Sequence, residues 1–76
     1  MAISPEQRQA LEMLAGSPHG CTESIMMVHG CAIGVLRDLV RDGLATAARE
    51  MVVSGRRRIT VTRLRITDAG RRALAE

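Results

Sequence analysis

Residues 44–74 constrain the fold more than any other stretch, reading LATAAREMVV, SGRR, RITVTRLRIT and DAGRRAL. Ile59-Thr60-Val61-Thr62 alternates with the period of a strand, and the apolar run ending at Val53 supplies its partner. Strands are predicted over about 44–53 and 58–66, joined by a tight turn at Gly55-Arg56-Arg57-Arg58. Arg63 interrupts the alternation, and Leu64 and Ile66 resume it one position out of phase. Such a change of buried parity predicts a bulge or bend, with the outer half of the hairpin projecting and its base joining the core. Thr67 then caps a closing helix over about 68–75, which carries Ala69, Ala73 and Leu74.

The N-terminal half is helical. Ser4-Pro5-Glu6-Gln7 starts a helix over 5–15, with serine as cap, proline at the first position and Gln7 reaching back. Ala10, Leu11, Leu14 and Ala15 recur at helical spacing before Gly16-Ser17-Pro18 ends the element. Thr22 caps a second helix, about 23–29, with Glu23 in its first turn and Ile25, Met26 and Val28 on its buried side. Of Met26 and Met27, one is expected in the core and the other partly exposed. A third helix, about 32–42, stops at Gly43, a natural left-handed cap position. Ala32, Ile33, Leu36, Leu39 and Val40 form its apolar stripe, opposite Gly34, Arg37, Asp38 and Arg41. Two short helices joined by a turn at Gly30-Cys31 make a helix-turn-helix unit. The class is therefore α+β, as one domain over 1–76.

A chain of 76 residues has a thin core. Without Phe, Tyr or Trp that core must come from Leu, Ile, Val, Met and Ala, so self-association is an expected supplement. All eleven basic residues are Arg. Residues 1–48 carry a net charge of −2 and residues 49–76 a net of +5, which points to an anionic partner for the hairpin and tail. No signal peptide and no membrane-length apolar run is read, so the cytoplasm is expected, with Cys21 and Cys31 reduced.

Leu64-Arg65-Ile66-Thr67-Asp68-Ala69-Gly70-Arg71-Arg72-Ala73-Leu74 resembles the apolar-x-[Leu/Ile/Val]-Thr-x-x-Gly-x-x-x-Leu segment by which many bacterial winged-helix transcriptional regulators leave the wing. Cys21-Thr22-Glu23 is similar to their lead into helix 2, and Leu36-x-x-Leu39-Val40-x-x-Gly43-Leu44 to helix 3 running into the first wing strand. The resemblance covers about residues 4–75. It departs from the pattern at Leu64, where an aromatic residue often stands, and it lacks the extra helices on which many such regulators dimerise. It implies a winged helix: three helices containing the helix-turn-helix, a two-stranded hairpin wing and a short C-terminal helix. In that mode helix 3 enters the major groove of double-stranded DNA. Arg37 and Arg41 would reach guanine edges or phosphates, and Gly34 would permit close approach. Thr22 and Ser24 would meet a phosphate, and Arg56, Arg57 and Arg58 would meet phosphates or a narrow minor groove.

Asp38 and Asp42 stand at spacings that favour ion pairs along helix 3, and acids facing a groove are repelled. The alternative reading is therefore a winged-helix protein-interaction module, and a homodimer or protein partner stays open. RNA recognition by stacked bases lacks an aromatic platform. His19-Gly20-Cys21 recurs as His29-Gly30-Cys31, but the triplets bracket a helix and are expected on the order of 12–15 Å apart, which disfavours one zinc or one disulfide and leaves a zinc- or thiol-responsive switch as a minor third reading. No cofactor, small-molecule substrate or enzymatic triad is read from the sequence.

Overall fold

The computed structural model describes residues 3–76. Four helices and three antiparallel strands follow in the order α1 (Pro5–Ala15), β1 (Cys21–Thr22), α2 (Glu23–Val28), α3 (Ile33–Arg41), β2 (Ala45–Ser54), β3 (Arg57–Ile66) and α4 (Asp68–Ala75). Side-chain caps set three of the helix starts. At α1 the Gln7 amide donates to Ser4 Oγ and the Ser4 amide donates to Gln7 Oε1, a full capping box. Thr22 Oγ1 accepts from the Ile25 amide, and Thr67 Oγ1 from the Gly70 amide. Helix α3 begins at Ala32, which has no side-chain cap.

Helices α2 and α3 end alike. Cys31 N donates to Met26 O and Gly30 N to Met27 O, while Leu44 N donates to Leu39 O and Gly43 N to Val40 O. Each is a Schellman closure, and the left-handed residue it requires is a glycine, Gly30 at φ 96° and Gly43 at φ 76°. Both closures turn an apolar side chain inward, and Cys31 and Leu44 are buried. They join Ala10, Leu11 and Leu14 of α1, Met26, Leu36 and Leu39, Ala45 and Leu64 in one core. Ile25 and Val28 stand apart from it: only Met26 of α2 is buried, and Val28 is 84% exposed. A helix of six residues offers the core little more than one inward position.

The sheet has the order β1-β3-β2 and is three-stranded, not two-stranded. Cys21 pairs with Leu64 and Thr22 with Arg63, too short a run to leave an alternating signature in the sequence. Between β2 and β3 the register runs unbroken from Ala45↔Ile66 to Ser54↔Arg57, so the expected bulge near Arg63 is absent. The apolar residues change face instead. Leu64 and Ile66 share the inner face with Ala45 and Ala47, while Ile59 and Val61 lie with Val52 on the outer face. Residues 51–60 are all exposed, so no core sets the parity there.

At the base, Thr67 ties three elements together. Its amide donates to Leu44 O and its hydroxyl donates to Gly43 O at 2.7 Å while accepting from Gly70 N at 3.0 Å. Gly70 is buried, and a Cβ there would meet the Leu44 carbonyl and the Ile66 side chain inside contact distance. The Thr-x-x-Gly spacing thus has a local cause: α4 lies so close to the α3–β2 corner that only glycine fits.

Candidate nucleic-acid interface

Helix α3 and the hairpin form the two sides of an open groove. A cavity of about 290 Å³ lies between them, floored by Leu36, Val40, Ala47 and Leu64 and edged by Glu23, Arg37 and Arg41. Every hairpin residue lining it (Ala47, Thr62, Leu64) belongs to the inner face, which fixes α3 on that side. Arg37 and Arg41 are both exposed, as the sequence expected, yet they differ in their ion pairing. Arg41 Nη2 lies 2.9 Å from Asp38 Oδ1 and its Nε 3.7 Å from Asp42 Oδ1. Arg37 forms no ion pair among the described residues.

The three consecutive arginines at the hairpin end do not act as one cluster. The turn is Gly55-Arg56 alone, with Gly55 at φ 64°, and Arg57 and Arg58 already belong to β3. Successive strand residues leave on opposite faces. Arg58, paired with Val53, is on the inner face with α3, whereas Arg57, paired with Ser54, is on the outer one. Arg49 shares the inner face, is exposed and has no carboxylate partner among the described residues. Nothing local in the sequence marks Arg49; its place on the inner face follows from its odd position on β2 once the register is known.

The outer face uses its charge internally. Arg63 Nε donates to Glu50 Oε2 at 2.8 Å, and Arg65 Nη2 lies 3.9 Å from Glu50 Oε1. The hydrogen bond from Arg63, reinforced by the charges of Arg63 and Arg65 against some desolvation, holds the Glu50 carboxyl below the usual carboxylate range. Arg65 also donates to His19 O at 3.3 Å, and Arg8 donates to Leu74 O and Glu76 O. These arginines stitch the fold together.

Thr22 and Ser24 sit at the start of α2, where the Thr22 hydroxyl is engaged by the Ile25 amide and Ser24 is exposed. Gly34 is exposed on α3, and nothing lies within 4 Å of where its Cβ would be, so packing does not require glycine there. The two thiols lie beyond opposite ends of α2: Cys21 Sγ is 3.2 Å from Ser17 Oγ, and Cys31 Sγ donates to Met13 Sδ at 3.7 Å. Burial, with a further contribution from Cys21, pushes the Cys31 thiol up from its ordinary value. Among the described residues no group of three or more His, Cys, Asp or Glu is placed to hold a metal. Nor is any helix there long and apolar enough to cross a membrane.

The class defined by these elements is an α+β domain of four helices and a three-stranded antiparallel sheet with a projecting arginine-bearing hairpin. Comparison with family models, with curated proteins and with solved structures finds no match for this chain.

Proposed function

We propose that the chain is a winged-helix protein that binds double-stranded DNA in transcriptional regulation, with α3 as the groove-facing helix and the β2–β3 hairpin as the wing. One observation carries the reading: Arg37, Arg49 and Arg58, none with a carboxylate partner among the described residues, stand on α3 and on the hairpin face turned toward it. Unpaired guanidinium groups on a helix and on the ribbon face turned toward it are what a phosphate backbone neutralises, with release of its counterions. Arg56 at the turn extends the same line. Arg41, held by Asp38 and Asp42, contributes less, and base readout through α3 rests mainly on Arg37. Thr22, Ser24 and the open backbone at Gly34 would contact the flanking strand. The reading places the protein in the cytoplasm, without catalytic activity.

The test is a salt titration of duplex binding. Replacing Arg37, Arg49 and Arg58 together with Ala should flatten the log–log salt slope by about 3 units, close to one per lost phosphate contact. Arg57→Ala should change it less than Arg58→Ala, because it leaves the ribbon on the other face. Equal binding by the triple variant and the parent, or no duplex binding at low salt, overturns the proposal. The second reading, a protein-interaction module, is favoured by Ile25, Met27 and Val28, three neighbouring apolar residues about half or more exposed on α2.

A further inference from the structure

We infer that the free edge of β2 pairs two copies of this chain into a closed, two-fold antiparallel dimer centred on Val52. The inference goes beyond the DNA-binding proposal and does not depend on it. Strand β2 is the outermost strand of the sheet and is paired on one side only along all ten of its residues. Natural edges are usually blunted by Lys, Pro, a bulge or a covering element. Residues 45–54 contain no Lys and no Pro, the register to β3 has no bulge, and the charges on the strand, Arg49 and Glu50, leave residues 51–54 uncharged. The edge is also apolar where it projects: Met51 is 64% exposed, Val52 36% and Val53 73%. Met51 and Val53 lie on the inner face and Val52 on the outer, so a strand added there meets apolar side chains on both sides of the sheet.

Backbone geometry makes this edge competent. A two-residue turn closes on a hydrogen-bonded pair, here Ser54 and Arg57. From that pair inward the even-numbered residues of β2 bond to β3, and Arg49, Met51 and Val53 direct their N–H and C=O groups to the free side. A two-fold axis normal to the sheet keeps inner face beside inner face, so the strand must meet its copy with a residue at the axis facing itself. Charge then selects among the registers. Centring on Arg49 or Glu50 sets like charges directly opposite, which is destabilising. Centring on Met51 sets Glu50 against Val52 and Arg49 against Val53 of the second copy. Centring on Val52 sets Val52 against Val52 and Met51 against Val53 in both directions, with Glu50 opposite Ser54. That register alone matches apolar to apolar throughout the tripeptide and opposes no like charges.

The occupant is therefore a second copy, since the tripeptide complements itself and the contact is isologous. The axis normal to the sheet leaves both α3 helices on one side of a continuous four-stranded ribbon, β3-β2-β2-β3. Two α3 faces presented together suit a two-fold partner, and pairing covers the exposed apolar side chains of Met51, Val52 and Val53.

The experiment needs no nucleic acid, so its failure and that of the DNA reading are separable. Sedimentation equilibrium from about 1 µM to about 1 mM should resolve a monomer–dimer equilibrium, the behaviour of a small specific interface. Val52→Lys should return the protein to monomer while its circular dichroism stays that of the parent. Val52 faces itself in a non-hydrogen-bonded pair with Cα atoms about 4.5 Å apart, so Val52→Cys should give a disulfide-linked dimer under mild oxidation. Glu50→Cys, opposite Ser54, should not. A monomer at every concentration, a Val52→Lys variant that dimerises like the parent, or Glu50→Cys linking as readily as Val52→Cys overturns the inference. Polymers growing without limit through both hairpin edges would overturn the closed two-fold form.

Discussion

Exchanging glycine for alanine at two helical positions should move stability in opposite directions. At Gly70 the added methyl meets the Leu44 carbonyl and Ile66 Cγ1. The carbonyl cannot retreat freely, because it accepts the Thr67 amide at the same corner. Overpacking of this kind costs about 1–3 kcal/mol, and loosening the bond adds about 1 kcal/mol. Higher helix propensity of alanine returns about 1 kcal/mol, leaving a net loss of about 2 kcal/mol. In a domain of this size that lowers the thermal midpoint by about 8–16 °C. At Gly34 nothing opposes the methyl, so the propensity gain stands nearly alone and the midpoint should rise by about 4–8 °C. Thermal unfolding of both variants followed by far-ultraviolet circular dichroism is the assay. A Gly70→Ala protein as stable as the parent would refute the close packing of α4 on the α3–β2 corner.

Thr67→Val removes both the cap of α4 and the bond to Gly43 O, and urea unfolding should register a loss of about 1–2 kcal/mol. The Glu50 pKa is depressed in the folded protein, so its contribution is present above the unfolded carboxyl pKa and is lost as pH falls through the folded one. Glu50→Gln should therefore flatten the acid side of the thermal midpoint–pH curve relative to the parent. Cys21 is half-buried and Cys31 is buried with a raised pKa, so alkylation under native conditions should modify Cys21 first, with peptide mass mapping as the readout. Comparable rates at both thiols would contradict the burial of Cys31.

Local punctuation was legible wherever one residue fixes one backbone event. Ser4, Thr22 and Thr67 cap helices as their neighbours required, and Gly43 ends α3 in the left-handed conformation its position suggested. What escaped were features set by distant partners. The two-residue strand β1 exists only because Leu64 and Arg63 lie beside it. The phase change at Arg63 was read as a bulge on the assumption that apolar residues must all face one core, but the outer hairpin has no core to face. Spacing predicts Val28 inward, whereas α2 is too short to bury a second side. In the candidate site, the exposure of Arg37 and Arg41 followed from the helical stripe. The division of labour between them depends on Asp38 and Asp42 rotamers, and the split of Arg57 from Arg58 depends on a register no single strand reveals.

The Thr67 corner also bears on biosynthesis. A chain emerging from the ribosome would expose α1, α2 and α3 well before residues 67–74 are free of the exit tunnel. Until then the Gly43 and Leu44 carbonyls have no Thr67 to receive, and the hairpin is held to the helices through Ala45, Leu64 and the β1–β3 pairs without the Thr67 corner. A nascent protein exposed only as far as residue 66 would already hold its hairpin by the β1–β3 pairs and by Leu64 in the core, and would gain the Thr67 corner and the cover of α4 once residues 67–75 emerge.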